Sequence, residues 1–255
     1  MLKAKVIVVT GPDGGIGPSV VEACLEAGGT VVAVHRPGRD FARRFGCGDG
    51  QLVHRIADVT DAEMMNALAA SVEDEMERID GVVALVGRRP APRPLQETTP
   101  RDWSAILATN LTSTFVTFRA FVPAMLRQRG GSLVAVGSIA GRRGSAGQAA
   151  YAGAKAGVAG LVRALASELG PAGIRVNTVT PGGTRTERTL GIVAQQADER
   201  GIEPAQVERE LVAGVALGRL VRPGEIGDAC VFLLSDRSSG ITGEELNVSG
   251  GAVMW

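Results

Sequence analysis

Apolar residues along this chain fall into two alternating arrangements, short β-branched runs and longer stretches with helical spacing. The runs Lys5–Thr10, Thr30–His35, Gln51–Ile56, Gly81–Val86, Leu133–Val136, Ile174–Val179 and Glu245–Val248 are close to continuous in apolar character. That is the pattern of strands buried on both faces of a parallel sheet. Between them, Ile16–Ala27, Asp61–Met76, Asp102–Arg129, Tyr151–Leu169 and Glu225–Ser235 repeat apolar residues three and four apart, as amphipathic helices do. Asp102–Arg129 is long enough for two helices, or for one with a break. Gly28-Gly29 and Gly170-Pro171 stand where helices stop. Strands alternating with helices predict an α/β fold, one doubly wound domain over 1–255 with seven parallel strands and helices on both faces.

Two connections are long for loops. Gly87–Thr99 carries Pro90, Pro92 and Pro94 together with Arg88, Arg89 and Arg93, and about 184–217 holds two helix-like pieces, roughly Glu187–Glu199 and Glu203–Val215. Both follow the C-terminal ends of strands, where open α/β sheets bind ligands. The second reads as a helical substrate lid.

Composition narrows the classes without choosing among enzymes. The chain has 255 residues, 45% hydrophobic and 21% charged, with 27 basic against 27 acidic groups. That is an ordinary globular mix. Zero net charge without blocks of like charge argues against nucleic acid or an anionic membrane as partner. No apolar run approaches the ~20 residues of a membrane span. The first run passes into a glycine loop with no cleavage site, so it reads as a strand and not as a leader. Cys24, Cys47 and Cys230 are an odd number without C-x-x-C spacing, and with His35 and His54 they make no zinc set, so no metal is expected. Thiols of this kind point to a reduced compartment, with the cytoplasm as default.

One imbalance inside that composition matters. Tyr151 is the only tyrosine, and all but three of the 27 basic groups are arginine; the lysines are Lys3, Lys5 and Lys155. The only tyrosine and the only lysine beyond the N-terminus are therefore four residues apart, one turn on one helix face. A phenol with pKa near ~10 is a poor acid or base at neutral pH. A neighbouring ammonium favours the phenolate, and a tuned tyrosine can exchange a proton with a carbonyl or hydroxyl oxygen. Ser138 follows the fifth strand, next to the start of the tyrosine helix, where its hydroxyl can converge on the same oxygen.

The other half of the sheet carries a nucleotide signal. After the first strand, Thr10-Gly11-Pro12-Asp13-Gly14-Gly15-Ile16-Gly17 opens into a helix, and such a loop brings backbone N–H groups and a helix N-terminus to a pyrophosphate. At the end of the second strand, where an acid would bind the ribose hydroxyls of NAD, the chain has Arg36, with Arg39 beyond it and no acid before Asp40. Arginine there suits the 2′-phosphate of NADP. NADP(H) is thus preferred, with NAD(H) as the alternative. Asp58-Val59 ends the third strand, placed to meet an adenine edge. Asp58 could instead cap the next helix, although Thr60 fits that cap better.

In order along the chain, these residues resemble the short-chain dehydrogenase/reductase family. Its motifs are matched by Thr10-Gly-x-x-x-Gly15-Ile-Gly17, Asp58, Asn110, Ser138, Tyr151-x-x-x-Lys155, Asn177, and Pro181-Gly182 with Thr186. Gly218-Arg219, Arg222-Pro223-Gly224-Glu225 and Ile241-Thr242-Gly243 through Gly250-Gly251 continue the match. The resemblance covers essentially the whole chain and implies a Rossmann-like fold. It implies hydride transfer between nicotinamide and a carbonyl/alcohol pair, with Tyr151 as general acid/base. Lys155 would bind the nicotinamide ribose and lower the phenol's pKa, Ser138 would orient the carbonyl, and Asn110 would hold a water in a proton relay. Pro181, Gly182, Thr184 and Thr186 fall where the family meets the carboxamide, and Asp13, Ile16 and Gly87 fall on its cofactor surface. Family members are commonly homotetramers that pack the tyrosine helix and the preceding long helix across a two-fold, and small residues such as Ala154, Gly157 and Gly160 would allow that. Two departures stand out. Ala84-Leu85-Val86-Gly87 replaces the usual Asn-Asn-Ala-Gly, removing asparagines that brace neighbouring strands. Ser249 replaces an aspartate near the C-terminus.

The nearest branch in overall look is the 3-oxoacyl thioester reductases, which implies an NADPH-dependent ketoreductase acting on a small carbonyl substrate, a free ketone or a thioester. Arg129 falls where that branch docks an acidic carrier protein, but Ala172 stands where a second docking arginine is common. Arg88–Leu95, Ile139–Gln148 and the lid should line the pocket, where Arg88, Arg89, Arg93, Arg142 and Arg143 could meet an anion. An NAD-dependent alcohol dehydrogenase and a non-catalytic cofactor sensor are the competing readings of the same fold.

Overall fold

Among the residues described, 1–36, 38 and 51–254 of a computed structural model, the seven apolar runs form one parallel sheet. The strands are β1 (Val6–Thr10), β2 (Thr30–His35), β3 (Leu52–Ile56), β4 (Gly81–Ala84), β5 (Gly131–Val136), β6 (Ile174–Pro181) and β7 (Glu245–Val248), in the order β3-β2-β1-β4-β5-β6-β7. The order reverses between β1 and β4, the crevice where such sheets take ligands. Arg39, Asp40 and Cys47 lie outside the described residues.

Successive side chains leave the sheet on opposite faces. Val6, Val8, Val32 and Val34 join Leu133 and Val176 on one face, covered by α2 (Ala62–Met76), α4 (Ser113–Gln128) and α5 (Ala149–Leu169). Ile7, Val9, Val31 and Ala33 join Val134 and Val179 on the other, beneath α1 (Gly17–Glu26) and α8 (Pro223–Leu234). Gly28, at φ +87°, closes α1 by donating its N–H to the carbonyl of Leu25, as the glycine pair predicts.

Of the boundaries that differ from the sequence expectation, three bear most on the site. The helix expected from Asp102 begins at Pro100, because Thr99 and Asp102 form a reciprocal capping box ahead of a first-turn proline; this is α3 (Pro100–Leu107). It runs into α4 through a π turn at Ala108–Thr112, so the expected break is a local widening within one helical rod. By length and composition Pro100–Gln128 could cross a bilayer, yet its Phe118, Phe121 and Met125 are built into the core. Finally, β4 stops at Ala84, not at Val86.

The long segment after β6 folds into α6 (Glu187–Arg200) and α7 (Pro204–Val212), which bury Val193, Ala197 and Val207 against each other. It is pinned to the body by a bridge between Thr184 and Val221. Of the three small residues expected at a two-fold, Ala154 is fully buried within the chain and Gly157 abuts Leu111. Only Gly160 has open space beside it.

Candidate active site

The C-terminal ends of the strands bring most of the sequence-selected residues into one cleft. Beyond Thr10 the chain turns at Gly11 (φ +72°), where a Cβ would lie 2.8 Å from Val86 Cγ2. A Cβ at Gly17 would stand 2.4 Å from the carbonyl oxygen of Pro12, and one at Gly15 would stand 2.9 Å from Cβ of Thr186. No side chain caps α1 at Ile16; Pro18 carries no N–H and Gly17 donates to the carbonyl of Gly14, so the N–H of Ser19 is the first-turn donor that keeps its capacity for an anion. Asp13 is exposed at the tip of this loop. Across from it, Thr186 caps α6, Thr184 donates to the carbonyl of Gly182 at 3.1 Å, and a Cβ at Gly182 would collide with Ser249. The Ser249 that replaces the usual aspartate is buried, its hydroxyl on the carbonyl of Val253.

At the far end of the cleft Arg36 is exposed after β2. Asp58 accepts hydrogen bonds from the N–H and hydroxyl of Thr60, and these, helped by the charge of Arg36, hold its carboxyl below the usual range. The two ends therefore face each other. The cap of α2 is neither Asp58 nor Thr60 but Asp61, which accepts from Glu63 and Met64 N–H. Asp58, taken up by Thr60, is three residues ahead of the cap position and too early to reach the first helical N–H groups. Val59 is buried.

The chemical end is assembled from four elements. Asn110, in the π turn, is fully buried and grips the loop after β4: its Oδ1 accepts from the N–H of Arg88 at 2.9 Å and its Nδ2 donates to the Arg88 carbonyl at 3.1 Å. The second Nδ2 hydrogen goes to the carbonyl of Ile106. This clamp stands in for the asparagines missing from Ala84-Leu85-Val86-Gly87. A Cβ at Gly87 would be 3.0 Å from Asn110 Oδ1 and 3.1 Å from Lys155 Nζ, so the glycine gives both groups their room. Lys155 donates to the carbonyl of Val136 at 2.8 Å, and Ser138 lies two residues beyond that carbonyl. Tyr151 is buried and hydrogen-bonded to Ser138.

Electrostatically the pair departs from expectation. Burial pushes the Tyr151 phenol above its ordinary value; the Ser138 hydrogen bond and then the charges of Arg89 and Arg188 pull it back. Lys155 is not among the groups that lower it. Burial instead brings Lys155 itself down to about 8. A lysine with a folded pKa below its unfolded value of 10.5 binds fewer protons in the native state between those limits, so native stability rises with pH there. The buried thiols Cys24 and Cys230 are raised by burial and oppose this as the pH approaches and passes their unfolded value of 9.0. Comparison with Lys155→Met isolates the lysine. In urea titrations of the cofactor-free proteins from pH 8 to 9, wild type should gain about 1 kcal/mol of stability relative to Lys155→Met.

A cavity of about 450 Å³ opens beside Tyr151, lined by Arg88, Ile106, Thr109, Asn110 and Gln148 among others. The arginines expected around it divide. Arg93 is paired with Asp102, and Arg142, like Arg163, is paired with the buried carboxylate of Glu245. Arg188, which sequence reasoning did not single out, reaches from α6 to the carbonyl of Arg89 at 2.6 Å. Nothing local marks it, since it is one exposed arginine in an arginine-rich chain and only the packing of α6 over the cleft gives it a place. Among the described residues, no three His, Cys, Asp or Glu side chains gather as metal ligands do.

Comparison with known proteins gives the family and the fold. Residues 11–253 match the family described as enoyl-(acyl carrier protein) reductase. The chain is 36% identical to an acetoacetyl-CoA reductase of Synechocystis sp. over 98% of its own length and 96% of the relative's. It is 35% identical to a 3-oxoacyl-(acyl-carrier-protein) reductase of Vibrio cholerae over 99% of each. Its fold superposes on the crystal structure of levodione reductase with a TM-score of 0.90, at 26% identity and 98% coverage of both chains. A glycine-lined cleft joined to a Ser138-Tyr151-Lys155 centre, in a chain with these relatives, belongs to the short-chain dehydrogenase/reductase family of NAD(P)-dependent oxidoreductases acting on a CH–OH/C=O pair.

Proposed function

We propose that the protein is an NADPH-dependent ketoreductase of 3-oxoacyl carbonyls, with Tyr151 as proton donor. The observation that carries this reading is the convergence of Ser138, Tyr151, Lys155 and Asn110 beside a cleft whose glycines leave no room for a Cβ. The residues fit a dinucleotide. Gly11, Gly15 and Gly17 with the uncapped end of α1 suit its pyrophosphate; Arg36 suits a 2′-phosphate, and Asp58 with Val59 the adenine. Thr10 and Gly87 line the strand ends beneath it, and Pro181, Gly182, Thr184 and Thr186 face the carboxamide. Lys155 uses one of its three N–H donors on Val136 and keeps others for the ribose. Bound there, the dinucleotide supplies the hydride.

The chain's own groups manage the proton and the carbonyl. Ser138 would donate to the carbonyl oxygen and Tyr151 Oη would transfer its proton to it, so that with the hydride supplied by the bound dinucleotide the C=O becomes CH–OH. Asn110 has one lone pair on Oδ1 beyond its bond to Arg88, the position from which a relay water returns the proton. The pair α6 and α7 acts as the lid over this site. Exposed Phe115 and Leu126 on α4 and the open side of Gly160 on α5 form the contact of a homotetramer in the cytoplasm, and sedimentation should give about four times the 26.3 kDa chain mass.

The test is NADPH oxidation by the purified protein across 3-oxoacyl esters, 3-oxo acids and simple ketones; no turnover with any of them removes the assignment. Arg36→Ala should raise the Kd for NADPH about 10- to 100-fold and leave that for NADH unchanged, the measure of one charge-assisted phosphate contact. Two forms of a 3-oxoacyl group present the same ketone, a thioester and the free acid, and they differ in the charge beside it.

A further inference from the structure

We propose that Arg89 and Arg188, with Arg88 from the wall of the adjoining cavity, form a carboxylate-binding site beside Tyr151, and that the substrate is a short 3-oxo acid in its free, ionised form. This rests on Tyr151 as the proton donor and adds which acyl form reaches it.

Arginines elsewhere in the protein commonly have acidic partners. Arg55 pairs with Glu75, Arg78 with Asp80, Arg127 with Glu73, Arg185 with Glu208, Arg200 with Glu210, and Arg219 with Glu225. Arg93, which lines the cavity, and Arg142, in the turn after Ser138, are neutralised in the same way. Arg88, Arg89 and Arg188 have no acidic partner among the described residues. The lid helix is fastened to the loop by Arg188 Nη2 on the Arg89 carbonyl at 2.6 Å, so the two bearers are held side by side. The loop is itself fixed, since Asn110 takes both backbone polar groups of Arg88. Pre-organisation of this kind favours a specific anion over a diffuse cloud of counterions.

The position of the charge selects the ligand. Both Arg89 and Arg188 act on the Tyr151 phenol, so their field falls where the ketone oxygen must sit. In a 3-oxo acid the carboxylate carbon is two bonds from the reacting carbon, within the reach of guanidinium groups around that oxygen. In a coenzyme A thioester the carbon at that position is neutral and the phosphates lie at the far end of the pantetheine arm. A guanidinium binds a carboxylate in a planar, two-bond fork, which a neutral ester cannot reproduce.

The experiment compares acetoacetate, methyl acetoacetate and acetoacetyl-CoA as substrates of the NADPH-loaded protein, in wild type, Arg89→Gln, Arg188→Gln and Arg188→Lys. Acetoacetate should have the highest kcat/KM in wild type, falling about 10- to 100-fold in each Gln variant. Methyl acetoacetate should be unchanged within a factor of about two, and Arg188→Lys should recover only part of the loss. The pH at which the reverse reaction, oxidation of 3-hydroxybutyrate, gains rate should move upward in Arg188→Gln, since the phenolate loses a cation; a merely structural arginine would not move it. Equal use of acid and ester by wild type overturns the proposal, as does an equal loss on all three substrates. Reduction of the thioester alone, weakened in the Gln variants, assigns the arginines to phosphate and overturns it as well. If NADPH binds and none of the three is reduced, the ketoreductase assignment falls and takes the carboxylate site with it.

Discussion

Tyr151→Phe should lower kcat by about 10²- to 10⁴-fold while leaving NADPH affinity and thermal stability close to wild type. The substitution removes one oxygen, and the polar contact it loses is the bond to Ser138. Ser138 keeps its other role, accepting the N–H of Ala140 at 3.1 Å, so the turn after β5 stays in place. The ring remains packed in the same space. What disappears is the proton that the nascent alkoxide needs, and this chain has no second tyrosine to replace it. The pH behaviour of wild type follows from the sign of the shift. Burial holds the phenol protonated through neutral pH, so reduction has its acid ready, whereas alcohol oxidation needs the phenolate and should gain rate as the solution becomes alkaline. Stopped-flow measurement of NADPH oxidation under single-turnover conditions separates this chemical step from release. A Tyr151→Phe enzyme with unchanged single-turnover rate would place the proton donor elsewhere.

Asn110→Ala should be the most damaging substitution to structure and chemistry together. Three hydrogen bonds are lost at a fully buried position, leaving the N–H and carbonyl of Arg88 and the carbonyl of Ile106 to find other partners. Stranding buried polar groups costs about 1–3 kcal/mol each, and because the Arg88 loop can reach water part of this is recovered; a loss of about 3 kcal/mol in urea unfolding is expected. The loop carries Gly87, Arg88 and Arg89, so its release also blurs the geometry around Lys155 and the ketone. Misplacement of about an ångström lowers rate by roughly 10²-fold. Measured at a temperature where the variant is still folded, kcat should fall by at least tenfold. A variant with wild-type unfolding midpoint and wild-type kcat would show that the π turn and the loop are held by something other than Asn110.

Much of this protein is legible before folding is considered. The two faces of the sheet are written as alternate apolar residues, and even the stop of α1 at Gly28 and the two helices after β6 follow local rules. Helix starts were harder to read. Asp102 and Glu225 mark the apolar periodicity, but proline in the first turn, with a reciprocal cap at Thr99 and the Glu225 carboxylate accepting the N–H of Arg222, begins α3 and α8 two residues earlier. Thr60 lost the cap of α2 to Asp61, because its hydroxyl turns back to Asp58. The clamp of Asn110 on the loop after β4 was likewise invisible, since Asn110 and Arg88 are 22 residues apart and meet only in the folded chain, where the π turn carries the amide.

The sequence by itself determined the periodicities, hence the parallel α/β sheet, and the short-range chemistry: a glycine loop before a helix, and a phenol one turn from an ammonium. These depend on neighbours a few residues apart, and backbone geometry alone carries them. The tertiary structure decided everything that depends on burial and on charges brought from distant segments. Desolvation, not the lysine, dominates the phenol, and the same desolvation brings Lys155 to about 8. Distant carboxylates at Asp102 and Glu245 neutralise Arg93 and Arg142, while Arg89 and Arg188, 99 residues apart, are left together over Tyr151. Electrostatic energies are set by distance and dielectric, and neither is written along the chain.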